Sequence, residues 1–177
     1  MELKNKKRIL VIGGSGSGKS TFAKILGRKL KIEVIHLDRY FWKPNWVKKN
    51  DDDFKEIVSR LILKDEWIME GNYSKTLSIR IPRTDHIFFF DFPSYFNVYR
   101  ILKRSFKTKL GLEKRTDLAE GCEEKWFDWE FVKFVWNFKN DYIPLNYKAL
   151  EELNFDKTKL RIFYNSKDVK KYLNSLQ

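Results

Sequence analysis

Nine consecutive residues, Gly13, Gly14, Ser15, Gly16, Ser17, Gly18, Lys19, Ser20 and Thr21, combine four of the chain's eight glycines with one lysine and four hydroxyls. Gly13, Gly18, Lys19 and Ser20 satisfy the spacing G-x-x-x-x-G-K-[ST]. Each residue type has a task. Glycines admit positive φ and leave room for phosphate oxygens to approach the backbone. Successive N–H groups can then turn inward as an anion-binding cup. A helix that starts at Lys19 adds its own unsatisfied N–H groups and the positive end of its dipole. Lys19 reaches the β- and γ-phosphates, and Ser20 places its hydroxyl on Mg²⁺. At average composition, fewer than roughly one chain in a hundred of this length matches the pattern by chance. The expected ligands are therefore ATP and Mg²⁺, a flexible Gly/Ser turn being the plainer alternative.

The elements needed to position this loop are present on either side of it. "RILVI" is a short β-branched run that predicts a buried strand ending near Ile12. "KSTFAKILGRKL" carries Phe22, Ile25, Leu26 and Leu30 at helical spacing. "EVIHL", "EWIME", "HIFFFDFP" and "LRIFY" predict four further strands. "DDDFKEIVSRLI", "SYFNVYRILKRSFKTKLG" and "SKDVKKYL" predict helices, the first with three acidic residues at its N-terminus. On the second of these, Tyr95, Val98, Tyr99, Leu102 and Phe106 share one side, and Arg100, Lys103, Arg104 and Lys107 another. Continuous apolar strands alternating with helices predict a three-layer α/β fold: a five-stranded parallel sheet in the order 2-3-1-4-5, with helices on both faces.

The chain has 177 residues, which suits one domain spanning 1–177. Its texture changes once. Seven basic residues lie between Arg100 and Arg115, six acidic ones between Thr116 and Glu130, and seven aromatic ones among the thirteen of "WFDWEFVKFVWNF". This region, about 107–142, reads as a helical lid inserted in the domain. The net charge of +12 favours anionic partners such as nucleotides or nucleic acid. No apolar run approaches the ~20 residues of a membrane span, and the single Cys122 fits a reducing compartment, so a cytoplasmic location is expected. Two histidines and one cysteine are too few ligands for a zinc cluster at His36 and Asp38.

Phosphate binding alone admits kinases, GTPases and motor ATPases. No guanine-reading N-K-x-D follows an apolar strand, and the chain is short for a motor. At "IFFFDFP…YRILKR" the sequence resembles the adenylate-kinase-like, nucleoside-monophosphate-kinase branch of P-loop proteins. In that branch a strand ends in Asp-x-Pro and the next helix carries two arginines into the lid. The resemblance thus implies lid roles for Arg100 and Arg104 and a P-loop or Mg²⁺ role for Asp91. "WIMEGNY" is similar to the family's third strand, so Glu70 is implied to orient water on Mg²⁺. The segments "HLDRYFWKPNW", "EWIMEGNY", "FFFDFPSY", "EGCEEK" and "EFVKFVWNF" together resemble bacterial DNA topology modulation proteins over nearly the whole chain. That likeness implies ATP binding and a kinase-like fold. One feature departs from adenylate kinases: Phe-Pro-Arg after the third-strand glycine is replaced by Asn72, Tyr73 and Ser74, leaving Arg80 or Arg83 to hold an acceptor phosphate.

Several side chains then carry two readings. Arg100 and Arg104, four residues apart, either neutralise charge on a transferring phosphoryl group or form a solvated basic face. Asp38, at the end of the second strand, either assists an acceptor hydroxyl or caps a turn. Asp91 either supports Mg²⁺ or the loop, or opens the next helix. Cys122 is expected to be a structural contact. The aromatic block Trp126 to Phe138 is expected to pack under the lid, base stacking being the alternative. Tyr40, Phe41, Trp42 and Trp46 are placed to stack a planar acceptor. Two functions follow: an ATP- and Mg²⁺-dependent kinase acting on a nucleotide-like or hydroxyl acceptor, or a nucleotide-switched protein that binds DNA.

Overall fold

The computed structural model describes residues 7–112, 118–122 and 127–176. Arg115, Thr116 and Trp126, which bound the basic run, the acidic run and the aromatic block, lie outside the described residues.

The fold is α/β, built on a five-stranded parallel sheet. Strand β1 (Arg8–Gly13) leads through the glycine loop to helix α1 (Lys19–Leu30) and strand β2 (Val34–His36). A short helix α2 (Asp38–Phe41) and a small hairpin, β3 (Trp42–Lys43) and β4 (Val47–Lys48), precede α3 (Asp51–Leu61) and β5 (Trp67–Glu70). Then come α4 (Leu77–Arg80), β6 (His86–Phe90), α5 (Ser94–Lys109), α6 (Trp129–Asp141), α7 (Ile143–Glu152), β7 (Leu160–Phe163) and α8 (Ser166–Ser175). Along the sheet the strands run β2-β5-β1-β6-β7. Without the hairpin, which the sequence reading missed and which shifts the numbering, this is the order 2-3-1-4-5.

Period-two side-chain alternation explains why both faces of this sheet are covered. Leu10 and Ile12 of β1 pack with Met69, Ile87 and Phe89 against Phe54 and Val58 of α3, Phe138 of α6 and Leu150 of α7. Ile9 and Val11 pack with Ile68, Phe88 and Phe90 against Phe22 and Leu26 of α1 and Tyr172 of α8. The second face is an aromatic stack: Phe22 meets Phe88, Phe90 and Phe163 edge-on at 4.8–5.7 Å. Asn50 caps α3 by accepting from the Asp52 amide, and the three aspartates of its first turn sit at the positive end of the dipole.

The sequence left open which side of α5 meets the protein. The apolar side of α5 points outward: Tyr95, Tyr99 and Phe106 are 67%, 60% and 56% exposed. The helix meets the body through Asn97 and Ile101 instead, because these two lie under the glycine loop. None of the described helices is long and apolar enough to cross a membrane.

Candidate functional site

The parallel sheet brings the carboxyl ends of β1, β2 and β5 together, where open α/β folds form their ligand crevice. A cavity of about 1440 Å³ opens there. It exceeds the roughly 300–1,000 Å³ of a site for one small ligand.

The glycine loop forms one wall. Gly13, Gly16 and Gly18 all adopt positive φ. At Gly16 this is obligatory. With φ at +82°, an added Cβ would lie 2.5 Å from the Asn97 carbonyl oxygen and 2.9 Å from Ile101 Cγ2. Among the described residues, the amides of Ser15, Gly16, Gly18, Ser20 and Thr21 donate to no protein acceptor, and all five residues line the cavity. The first bond of α1 runs from the Phe22 amide to the Gly18 carbonyl. Such a row of amides at a helix N-terminus is a ready anion site.

Three further side chains set the loop's shape. Asn72 Oδ1 accepts from the Gly13 amide at 3.3 Å and from Asn146 Nδ2 at 2.7 Å. Arg100 donates to the Ser17 carbonyl at 3.1 Å. Burial lowers the Arg100 pKa, and the neighbouring Arg104 cation lowers it further. Lys19 is buried and donates to the Gly14 carbonyl at 2.9 Å, with Glu70 Oε1 at 3.8 Å. Glu70 Oε2 in turn meets His36 Nδ1 at 3.0 Å. The start of α1 and the ends of β5 and β2 thus bring a lysine, a carboxylate and an imidazole into one buried row.

Asp38 lies on the β2 side. The Tyr73 hydroxyl donates to Asp38 Oδ1 at 2.6 Å. Burial, and then the Asp38 charge, push the Tyr73 pKa far up, so the hydroxyl stays a donor. Phe41, Trp42 and Trp46 border the cavity, whereas Tyr40 is off its wall and packs, half-buried, against the core.

The structure brings Gly13, Ser15, Gly16, Gly18, Lys19, Ser20 and Thr21 together with Asp38, Glu70, Arg100 and Arg104 on the wall of one cavity, while Gly14 and Ser17 lie behind that wall. Asp91 is placed elsewhere. It does not line the cavity, and its carboxylate is engaged by Lys139 Nζ at 3.1 Å and the Tyr147 hydroxyl at 3.2 Å. The metal expectation for Asp91 is therefore not carried forward: it ties the edge of β6 to α6 and α7. Arg80 is also reassigned. It is fully buried and donates to the carbonyls of Gly71 at 2.9 Å, Tyr73 at 3.1 Å, Thr76 at 3.4 Å and Asn72. Its pKa is lowered by burial to about 9, which leaves it charged at neutral pH. Arg83 is exposed and off the cavity wall. Neither arginine reaches the cavity to hold an acceptor phosphate.

Cys122 is buried, its thiol donating to the Lys43 carbonyl at 3.2 Å, a structural contact. The Asn45 amide bonds the Gly121 carbonyl at 3.0 Å, so this segment is docked on the hairpin. Among the described aromatic residues of the block only Phe138 is buried, while Phe127, Phe131 and Phe134 border the cavity. The packing expectation therefore holds for one end of the block only. Sequence reasoning assigned no role to His36, Asn72, Tyr73 or Asn146. "EGNY" directly after a strand drew attention to two of them, but nothing local signals Asn146.

No family model matches the chain. Over 68 residues it is 31% identical to the Bacillus subtilis (strain 168) uncharacterized protein YqaC, a match spanning 37% of this chain and 38% of that protein. The chain thus matches well under half the length of that relative. Among solved structures, deoxyadenosine kinase from M. mycoides, with dCMP and a flexible dCDP bound, aligns over 95% of both chains at 14% identity and a TM-score of 0.50. Shikimate kinase from Bacteroides thetaiotaomicron aligns over 97% of both at 17% identity and a TM-score of 0.49. At 14% identity the likeness to the deoxyadenosine kinase is one of fold alone.

Proposed function

We propose that this chain is an ATP- and Mg²⁺-dependent phosphotransferase that moves the γ-phosphoryl group of ATP to a hydroxyl of a small molecule. One observation carries the reading: five loop amides without a protein acceptor share a cavity with a carboxylate at the end of β2. The amides of residues 15–21 would bind the phosphates. Lys19 would follow the charge onto the β- and γ-phosphates, and Arg100 and Arg104 would neutralise it as the bond breaks. Asp38 would accept the proton of the attacking hydroxyl. Ser20 and Glu70 are oxygen donors on the same wall and suit Mg²⁺, which usually keeps several waters and takes one or two protein ligands. When bound, the ion would supply charge neutralisation at the phosphates. Residues 107–142 would act as the lid of a single domain.

A resemblance to bacterial DNA topology modulation proteins remains part of this proposal and adds no acceptor. DNA binding ranks second. Four cations of the basic run, Arg100, Lys103, Arg104 and Lys107, line the cavity, where they favour the phosphates of a small ligand over a duplex.

The test is calorimetric titration with a non-hydrolysable ATP analogue, together with ADP release in an acceptor screen, for the wild type and Lys19→Ala. Lys19→Ala is expected to lower ADP release at least ~100-fold while its melting curve stays cooperative. Unchanged phosphoryl transfer in that variant would overturn the mechanism.

A further inference from the structure

Resting on the kinase reading above, the composition of the acceptor side of the cavity names a substrate class: we infer that the acceptor is an uncharged, planar, hydroxyl-bearing molecule, a nucleoside. Three observations converge. First, the cavity of about 1440 Å³ has room for ATP and a second ring-containing ligand.

Second, the wall around Asp38 is aromatic. Phe41, Phe54 and Tyr73 form a triangle with centroids 4.8–5.0 Å apart, and Trp42 stands edge-on to Phe41 at 5.0 Å. From α6, Phe131 and Phe134 border the same cavity with their rings parallel within 19°. Ring faces of this kind take a flat heterocycle by stacking. Much of the set is held rigid, since Phe54 is core and Tyr73 is fixed by its bond to Asp38.

Third, among the described residues the acceptor side of the cavity wall offers lysines, Lys48, Lys55 and Lys75, and no arginine outside α5. Arg80, at the end of α4, spends its guanidinium on backbone carbonyls. Lys75 is held by Asp51, and Lys55 by Asp52 at 3.2 Å. Among the described residues, Arg100 and Arg104 are the only arginines on the cavity wall; both belong to α5, and Arg100 is bound to the glycine loop. Planar bidentate recognition of an acceptor phosphate calls for arginine. Beside the rings stands Asp38, bound by the Tyr73 hydroxyl, whose carboxylate disfavours a second anion close by and tolerates a neutral ligand.

The step balances as follows. The nucleoside hydroxyl oxygen attacks the γ-phosphorus and forms the new P–O bond. The bond from the γ-phosphorus to the β–γ bridging oxygen breaks, and its electron pair leaves with ADP. The hydroxyl proton passes to Asp38 and then to water. The products are a nucleoside monophosphate, ADP and a proton.

The test couples ADP release to a panel of nucleosides, their monophosphates, shikimate and gluconate, alongside titration with the ATP analogue. A nucleoside is expected to raise ADP release at least ~10-fold over the acceptor-free rate, with the monophosphate identified by mass. Trp42→Ala is expected to raise the nucleoside KM about 10-fold and leave the ATP KM unchanged, with Trp42→Phe restoring most of the loss. A monophosphate or an acid as the preferred acceptor overturns the proposal, as does a Trp42→Ala effect on both KM values alike. If the analogue binds the wild type and not Lys19→Ala while no nucleoside is phosphorylated, this inference fails and nucleotide binding stands. If the analogue does not bind at all, the kinase reading fails and takes this inference with it.

Discussion

Replacing Gly16 by alanine separates the two demands placed on the glycine loop. The first is conformational. At φ of +82° an L-residue is strained, by about 1–2 kcal/mol. The second is steric. The new Cβ would sit 2.5 Å from the Asn97 carbonyl oxygen, a backbone atom that cannot swing aside. Overpacking of this kind costs about 1–3 kcal/mol. Together the two predict a loss of about 3 kcal/mol, which in a chain of this size lowers Tm by about 6–12 °C. Gly111→Ala is the stability control. Gly111 also has positive φ, at +68°, but no described atom lies within 4 Å of its added Cβ. It should lose only the conformational part, about 2–8 °C. The relief route for Gly16→Ala is an outward shift of α5, which draws Arg100 from the Ser17 carbonyl. Affinity for the ATP analogue should therefore fall about 10-fold, beyond what the melting curve explains. The assays are thermal denaturation followed by circular dichroism and calorimetric titration. Equal melting shifts for the two variants, with ATP affinity intact in Gly16→Ala, would refute the close approach of loop and helix.

Arg80→Met removes the guanidinium from the carbonyls of Gly71, Asn72 and Thr76 and one of three donors from that of Tyr73, so a loss of at least ~3 kcal/mol in denaturant unfolding is expected, and Arg80→Lys should recover only part of it because an ammonium cannot span the same fork. Burial raises the Asp85 pKa, but the Arg8 guanidinium and the Arg8 and Lys7 amides outweigh it and hold the carboxyl below its usual range. Its stabilisation is thus complete above pH ~4 and lost as the pH falls through the lowered native value, so Asp85→Asn should flatten the acid limb of a Tm–pH curve. His36→Phe keeps a ring and removes the nitrogen that holds Glu70, and should raise the Mg²⁺ concentration for half-maximal activity several-fold while metal-free binding of the ATP analogue stays constant.

Local signals account for what could be read beforehand. β1, the glycine loop and α1 fall where the sequence put them, because an apolar run, a glycine cluster and a 3.6-residue period meet within one short stretch. The hairpin was missed because two-residue strands carry no alternation to detect. For α5, periodicity gave a correct list of residues sharing a side and no means of knowing which side meets the protein. That choice was made by a buried asparagine and an isoleucine fitting beneath Gly16. Arg80 and Asp91 stood at suitable sheet-edge positions. Their actual partners, backbone carbonyls for one and residues of α6 and α7 for the other, depend on tertiary geometry that no local window encodes.

The strand order also governs when the molecule can assemble. The central strand has no neighbour close to it in the chain: Leu10 waits for Met69 on one side and Ile87 on the other. Closing such wide loops costs entropy before any ladder bond forms, so folding is expected in the slow, non-local regime. A nascent chain that has emerged only as far as α3 presents the most apolar strand of the molecule with nothing to pair it. The first ribosome-bound species able to shelter that strand is the one in which β6 has cleared the exit tunnel.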